Sequence, residues 1–174
     1  MGNKKYILGR CGYYTLSINK MTLTKNIFTG EYSYSIDSKN RVNIPSNFRN
    51  CLSSDNKKTF VITKGLDSCI WVYPLIFWKK IENDLKKLSS ISNTNRAFIR
   101  NTARYASPVK FDKQGRINLT NVLVEYACLD KDASIIGMIN KIEIWNPSIL
   151  DKVDKESSKI KNDEYDELAN KIII

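Results

Sequence analysis

From Phe28 onward the chain alternates apolar and polar positions. Tyr32, Tyr34 and Ile36 interleave with Ser33 and Ser35, the period-two pattern of a half-buried β-strand. Residues 37–40 are polar and turn the chain, and Val42 and Ile44 carry the alternation into a second short strand. Pro45-Ser46 stops that strand and supplies an N-cap for a short helix from Asn47 to Leu52. Beyond a polar loop at 53–58, the segments Phe60 to Thr63 and Cys69 to Tyr73 predict two more strands around the turn Gly65-Leu66-Asp67-Ser68. Pro74 suits the first turn of a helix running to about Leu88. On that helix Trp78, Ile81, Leu85 and Leu88 share one face, and Lys79, Lys80, Lys86 and Lys87 lie largely off it. The stripe predicts core or subunit packing. Ser89 to Asn95 breaks the pattern, and a second helix is expected at about 94–104.

The same order then returns. A strand ends at Phe111, Ile117 to Leu119 forms a second, a short helix covers 121–127, and strands follow near 134–137 and 141–145. The unit is β-loop-β-α-β-β, present twice, with a helix after each copy, which makes the fold class α+β. The expected organisation is a poorly ordered extension at 1–27, a first repeat with its helix at 28–90, a connecting helix at 91–107, a second repeat at 108–153 and a tail at 154–174. The tail is charged and weakly periodic, so a frayed helix or disorder is expected there.

The repeat has a chemical signature. Asp37-Ser38-Lys39-Asn40-Arg41 comes back as Asp112-Lys113-Gln114-Gly115-Arg116, both ends displaced by 75 positions. Ile36 and Phe111 precede the two acids; Val42-Asn43-Ile44 and Ile117-Asn118-Leu119 follow the two arginines. Asn40 and Gly115 are the residue types that best tolerate positive φ, so each loop is predicted as a tight turn. Asp37 and Asp112 can accept loop amides and pair with the arginine four residues on. Arg41 and Arg116 can offer a guanidinium fork to phosphate or to the O6/N7 edge of guanine, and Lys39 and Lys113 add charge beside them. In the alternative reading, acid and arginine merely pair to hold the turn. Arg96, Arg100 and Arg104 form a further basic stripe, either a solvent face or a contact to nucleic acid or a neighbouring subunit.

Charge favours a polyanionic partner. Lys and Arg outnumber Asp and Glu by 28 to 18; residues 28–150 hold 18 basic against 11 acidic, a net +7, whereas residues 151–174 hold five against seven. The chain has no histidine, which excludes His-dependent triads and zinc hydrolase sites. Cysteines at 11, 51, 69 and 128 show no C-x-x-C pairing and are expected as reduced, mostly buried thiols in a cytosolic protein. The longest apolar stretch, Cys69 to Trp78, is too short to span a bilayer, and no secretory signal stands out. No activated nucleophile, metal cluster or phosphate-cradling glycine loop accompanies the acids, so no catalytic residue, metal, cofactor or small-molecule substrate is expected.

Taken in order, Phe28-Thr29-Gly30-Glu31-Tyr32, the two D-x-x-x-R loops, Asn43-Ile44-Pro45 with Phe48-Arg49, Thr63-Lys64-Gly65-Leu66-Asp67-Ser68-Cys69, Val72-Tyr73-Pro74 and Ile142-Glu143-Ile144-Trp145 resemble the MraZ family over about residues 27–153. The resemblance implies two AbrB-like swapped-hairpin halves forming one intramolecular pseudo-dimeric barrel, assembled into a ring of subunits. It also implies a transcriptional regulator, cytoplasmic and nucleoid-associated, that binds direct repeats of double-stranded DNA upstream of its own division and cell-wall operon. Asp37, Arg41, Asp112 and Arg116 are the positions that carry over. Thr120 departs from the family, standing where a proline is usual, and Asn101-Thr102 stands where an aromatic, apolar stretch is usual.

The leading expectation is therefore a sequence-specific DNA-binding regulator working as a homo-oligomer. The alternatives are an antitoxin-like AbrB-type regulator with a protein partner, and a barrel scaffold that binds nucleic acid without specificity.

Overall fold

The structure is a computed structural model that describes residues 25–157 and 162–172. Most of the expected extension, residues 1–24, lies outside the described residues, as do 158–161 and 173–174 in the tail. The first repeat runs β1 (Phe28–Ser35), β2 (Arg41–Asn43), α1 (Ser46–Cys51), β3 (Thr59–Lys64), β4 (Ile70–Pro74) and α2 (Leu75–Lys86). After α3 (Asn93–Ala103), the second runs β5 (Ser107–Lys110), β6 (Arg116–Asn118), α4 (Asn121–Tyr126), β7 (Asp132–Ile139), β8 (Ile142–Trp145) and α5 (Pro147–Ser157), with α6 (Asn162–Ile172) last. The fold is α+β, built on antiparallel sheet.

The two repeats do not fold side by side. In the six-stranded sheet the order is β1-β7-β8-β4-β3-β5, so the first strand of each repeat pairs with the third strand of the other. Phe28 lies opposite Ile139 and Ser35 opposite Asp132, while Thr59 lies opposite Lys110. The two hairpins β3–β4 and β7–β8 join through β4 and β8, where Trp71 faces Glu143. The second strands form their own ribbon: Arg41 opposite Asn118, Val42 opposite Ile117, Asn43 opposite Arg116. Period-two alternation sends Val42 and Ile117 inward, both fully buried, and leaves Arg41, Asn43, Arg116 and Asn118 on the other face.

The core lies between ribbon and sheet. Phe28, Phe48 and Phe60 fill one side of it, with Phe28 edge-on to Phe48 at 5.5 Å and Tyr32 edge-on to Phe48 at 5.2 Å. Ile117, Leu119 and Leu123 supply the second repeat's share, and Ile62, Ile135 and Ile144 floor it from the sheet. Strand exchange merges the two cores into one.

Several local expectations change. Pro45, not Ser46, is the N-cap of α1, and no side chain caps that end. Two residues of the polar loop at 53–58, Ser53 and Asn56, form a buried clamp, while Ser54, Asp55, Lys57 and Lys58 stay exposed. Asn56 is fully buried and donates to Asn26 Oδ1 (2.9 Å) and Ser53 Oγ (2.8 Å), while its own Oδ1 accepts from the amide of Ile76 at 3.0 Å. It thereby satisfies one of the open amides at the start of α2. Asn26, placed by the sequence reading in a loose extension, is buried in the same network, and Ser53 donates its amide to Asn26 Oδ1 at 3.0 Å. On α2 only Trp78 is buried; Ile81 and Leu85 are half-buried and Leu88 is exposed, so most of the predicted stripe is not core of this chain. The tail beyond 153 continues α5 and then forms α6 instead of fraying throughout. Of the described cysteines only Cys69 is buried; Cys51 is half-buried and Cys128 exposed, because Cys128 sits in the turn after α4 with φ 47°.

Gly137 sets how closely β1 can approach β7. A Cβ placed there would lie 2.5 Å from both the carbonyl carbon of Phe28 and the amide of Thr29, and backbone cannot step aside as a flexible side chain can. Gly137→Ala is therefore expected to lower stability by about 1–3 kcal/mol, the usual cost of overpacking, read from urea midpoints. An unchanged midpoint would show that β1 is free to shift.

Candidate nucleic-acid interface

Each D-x-x-x-R loop closes on its own acid. In the first, Asp37 Oδ1 accepts the amides of Lys39 (3.0 Å) and Arg41 (2.9 Å), and Oδ2 accepts Arg41 Nε at 2.8 Å, with Arg41 Nη2 at 2.7 Å. In the second, Asp112 Oδ1 accepts the amides of Gln114 (2.9 Å) and Arg116 (3.0 Å), and Oδ2 accepts Arg116 Nε (3.0 Å) and Nη2 (2.8 Å). Backbone bonds repeat with the same symmetry: Asn40 donates to Asp37 O, and Gly115 to Asp112 O. Asn40 and Gly115 hold the left-handed conformation the turns need, at φ 55° and 83°.

The ribbon brings the loops together. Ile44 donates its amide to Gly115 O (2.9 Å), and Leu119 to Asn40 O (2.8 Å), so each loop is tied to the strand of the other repeat. Across the ribbon Arg116 Nη1 lies 3.6 Å from Asp37 Oδ2, placing one carboxylate between two guanidiniums. Asn40 Nδ2 donates to Asn121 Oδ1 at 2.7 Å, and Asn43, in the amide orientation that satisfies it, donates to Gly115 O at 3.0 Å. Asn43 and Asn118 share the arginines' face, and the ribbon register sets Asn43 opposite Arg116 and Asn118 opposite Arg41.

These contacts tune the acids. The Arg41 side chain, then its amide, hold the Asp37 carboxyl down from 3.8 to about 2. The Arg116 amide, then its side chain, lower Asp112 as well. Asp37 in turn raises Arg41. Both acids stay ionised at neutral pH, which leaves them unsuited to proton transfer. The two Asp–Arg pairs also cancel in charge. The pairing of each acid with the arginine four residues on, which the sequence allows, is present in both loops; each arginine lies back along its acid, a quarter to a third exposed, with Nη1 facing away from its own loop's carboxylate. Lys39 and Lys113, both exposed, supply the net positive charge.

The helical arginines do not form a uniform stripe. Arg96 Nη1 donates to the carbonyls of Ser90 and Ile91 at 2.7 Å each, and Nη2 to Asn93 Oδ1, so Arg96 braces the turn before α3. Sequence reasoning missed Arg49. Its Nε donates to Ile44 O at 2.9 Å, and its guanidinium occupies the space beside Gly115, where a Cβ would sit 2.5 Å from Cζ. Burial pushes the Cys69 thiol up to about 12, so it is a poor nucleophile. No group of three His, Cys, Asp or Glu among the described residues could hold a metal ion, and no helix there is long and apolar enough to cross a membrane.

Comparison with known proteins agrees with this pattern. The family model described as "MraZ protein, putative antitoxin-like" matches residues 27–101 and 103–171. The chain is similar to the "Transcriptional regulator MraZ" of Clostridium acetobutylicum, 47% identical over 120 residues, covering 69% of this chain and 82% of that protein. It is similar to those of Alkaliphilus metalliredigens, 40% identical over 146 residues (84% and 96%), and Pediococcus pentosaceus, 40% over 147 residues (84% and 97%).

The loop geometry fixes a pH dependence. Because folding lowers the Asp37 pKa from 3.8 to about 2, its ionised form stabilises the fold fully above its ordinary pKa, and this is lost as pH falls towards 2. Asp37→Asn is expected to be less stable than the wild type at neutral pH, with the difference narrowing between about pH 4 and pH 2. Thermal melts over that range check it. A gap constant down to pH 2 would mean that the carboxylate's charge does not hold the turn. Asp112→Asn is expected to cost less, since Asp37 also lies 3.6 Å from Arg116 of the second repeat, whereas Asp112 reaches Arg41 only through longer-range attraction.

Proposed function

Because the chain belongs to the MraZ family, we propose that it is a transcription regulator, not an enzyme, and that it reads double-stranded DNA with its paired loops. The observation that carries this reading is the convergence of the two loops on one ribbon, with Arg116 3.6 Å from the first loop's acid. Asp37 and Asp112 hold one edge of each guanidinium and the turn beneath it, so Arg41 and Arg116 are presented with little rotamer freedom left to lose on binding. The guanidinium hydrogens not held by an acid donate to base edges or phosphate, with Arg116 Nη1 exchanging its long 3.6 Å contact to Asp37 for the DNA; Lys39 and Lys113 neutralise flanking phosphates, and Asn40 and Gly115 set the turn.

The strand exchange supports a finer reading of the fold, two AbrB-like swapped-hairpin halves making one intramolecular barrel. One chain offers a single pair of loops, a small number of base contacts. A ring of copies on direct repeats upstream of its own division and cell-wall operon would gain through effective concentration. The half-buried apolar residues of α2, with exposed Leu88 just beyond its end, suit such an assembly. A regulator of this kind works in the cytoplasm at the nucleoid.

Binding of the purified protein to the DNA upstream of its own gene tests the reading. Arg41→Lys and Arg116→Lys keep the charge but lose the fork. Each is expected to reduce discrimination between that DNA and a scrambled duplex by about tenfold or more. Lys39→Ala with Lys113→Ala is expected to weaken both duplexes alike and flatten the salt dependence. Equal affinity of the wild type for the two duplexes would overturn specific reading by the loops.

A further inference from the structure

Arg41 and Arg116 each carry their own acid, so the loops themselves bring little net charge to a polyanion. An unopposed cluster lies beside the second loop. An open cleft of about 410 Å³ is lined by Arg49, Lys57, Lys58, Ser54 and Phe111, the last immediately before Asp112. Arg49 spends Nε on Ile44 O and rests against Gly115. Among the described residues no carboxylate pairs with Arg49, Lys57 or Lys58. Lys57 and Lys58 are successive left-handed residues, φ 51° and 57°, so the backbone places both stems at one sharp turn.

The other repeat has no such cluster. Arg49 in α1 corresponds to Val124 in α4, 75 positions on. Thr59 faces Lys110 as Asp132 faces Ser35, so Lys57 and Lys58 correspond to Asp130 and Lys131. Three positive charges on one side stand against none net on the other. Two repeats that are alike at the loops thus differ at the flank.

We propose that Arg49, Lys57 and Lys58 hold a backbone phosphate of the bound DNA beside the second loop only, and so give each chain a fixed direction along the duplex. This rests on the DNA-reading function above. A planar guanidinium held through its Nε, in a cleft that two lysines also line, is suited to a phosphodiester oxygen pair. Contacts of this type carry no base information but fix register and orientation.

The test measures affinity against salt for the duplex upstream of the gene, with wild type, Lys57→Ala/Lys58→Ala, Arg49→Gln and Lys131→Ala. The double lysine variant decides, since Arg49 also supports the second loop and its loss could disturb folding. The double variant is expected to bind about tenfold more weakly at moderate salt and to lower the slope of log affinity against log salt by about one to two. Lys131→Ala is expected to change neither. Ethylation of phosphates on one flank of each bound repeat should block the wild type and not the double variant. If wild type binds and the double variant keeps its slope, the cleft assignment fails while loop reading stands. If wild type binds no duplex at low salt, both fail. If millimolar inorganic phosphate shifts amide resonances around the cleft while the DNA slope is unchanged, the cleft takes a free anion and the proposal is overturned.

Discussion

The pairing of Arg41–Asn43 with Arg116–Asn118 is the constraint on which the interface depends. Three residues from each repeat suffice because Val42 and Ile117 anchor the ribbon in the core while the flanking polar residues face away. Shifting the register by one residue would turn both arginines into the core and both apolar residues out. The buried pair therefore enforces the placement of the charged one. Amide bonds from Ile44 and Leu119 to the opposite loops extend the lock beyond the strands.

Holding an arginine against an acid has two effects that pull in different directions. It lowers the entropy lost when the guanidinium meets a partner, and it removes the long-range attraction a free cation would exert. In the proposed DNA-reading role, specificity and attraction would fall on different residues: paired arginines on the ribbon, lysines and Arg49 around it. The chain thus combines an excess of basic residues with a prominent motif that is locally neutral.

Much of this was legible in the sequence. The 75-residue displacement exposed the repeat, the alternation around Tyr32 and Tyr34 exposed β1, and Asn40 and Gly115 marked turns that do adopt positive φ. Partnership was not legible. Alternation says that one face of a strand is buried but not which strand lies beside it, so nothing near Phe28 points to Ile139. The clamp of Asn26, Ser53 and Asn56 was hidden for a related reason: polar residues without periodicity look like solvent-exposed loop until their mutual bonds are seen. Arg49 looked like one charged position on a short helix, and only the missing Cβ of Gly115 gives it a seat.

Strand exchange also has a consequence for how the chain comes off the ribosome. Phe28 is made early, but its partner Ile139 is 111 positions later, since 139 − 28 = 111. At roughly 5–20 residues per second the strand waits about 6–22 seconds without its native neighbour. During that interval β3 and β4 can form their local hairpin, but β1 presents the apolar edge of Phe28, Tyr32 and Tyr34 to whatever is near. Two nascent copies on one message would each hold such a strand, and a β1 donated to another chain's β7 would satisfy the same bonds. The charge of Glu31 and the positive φ of Gly30, 99°, weaken that waiting strand as a template for aggregation.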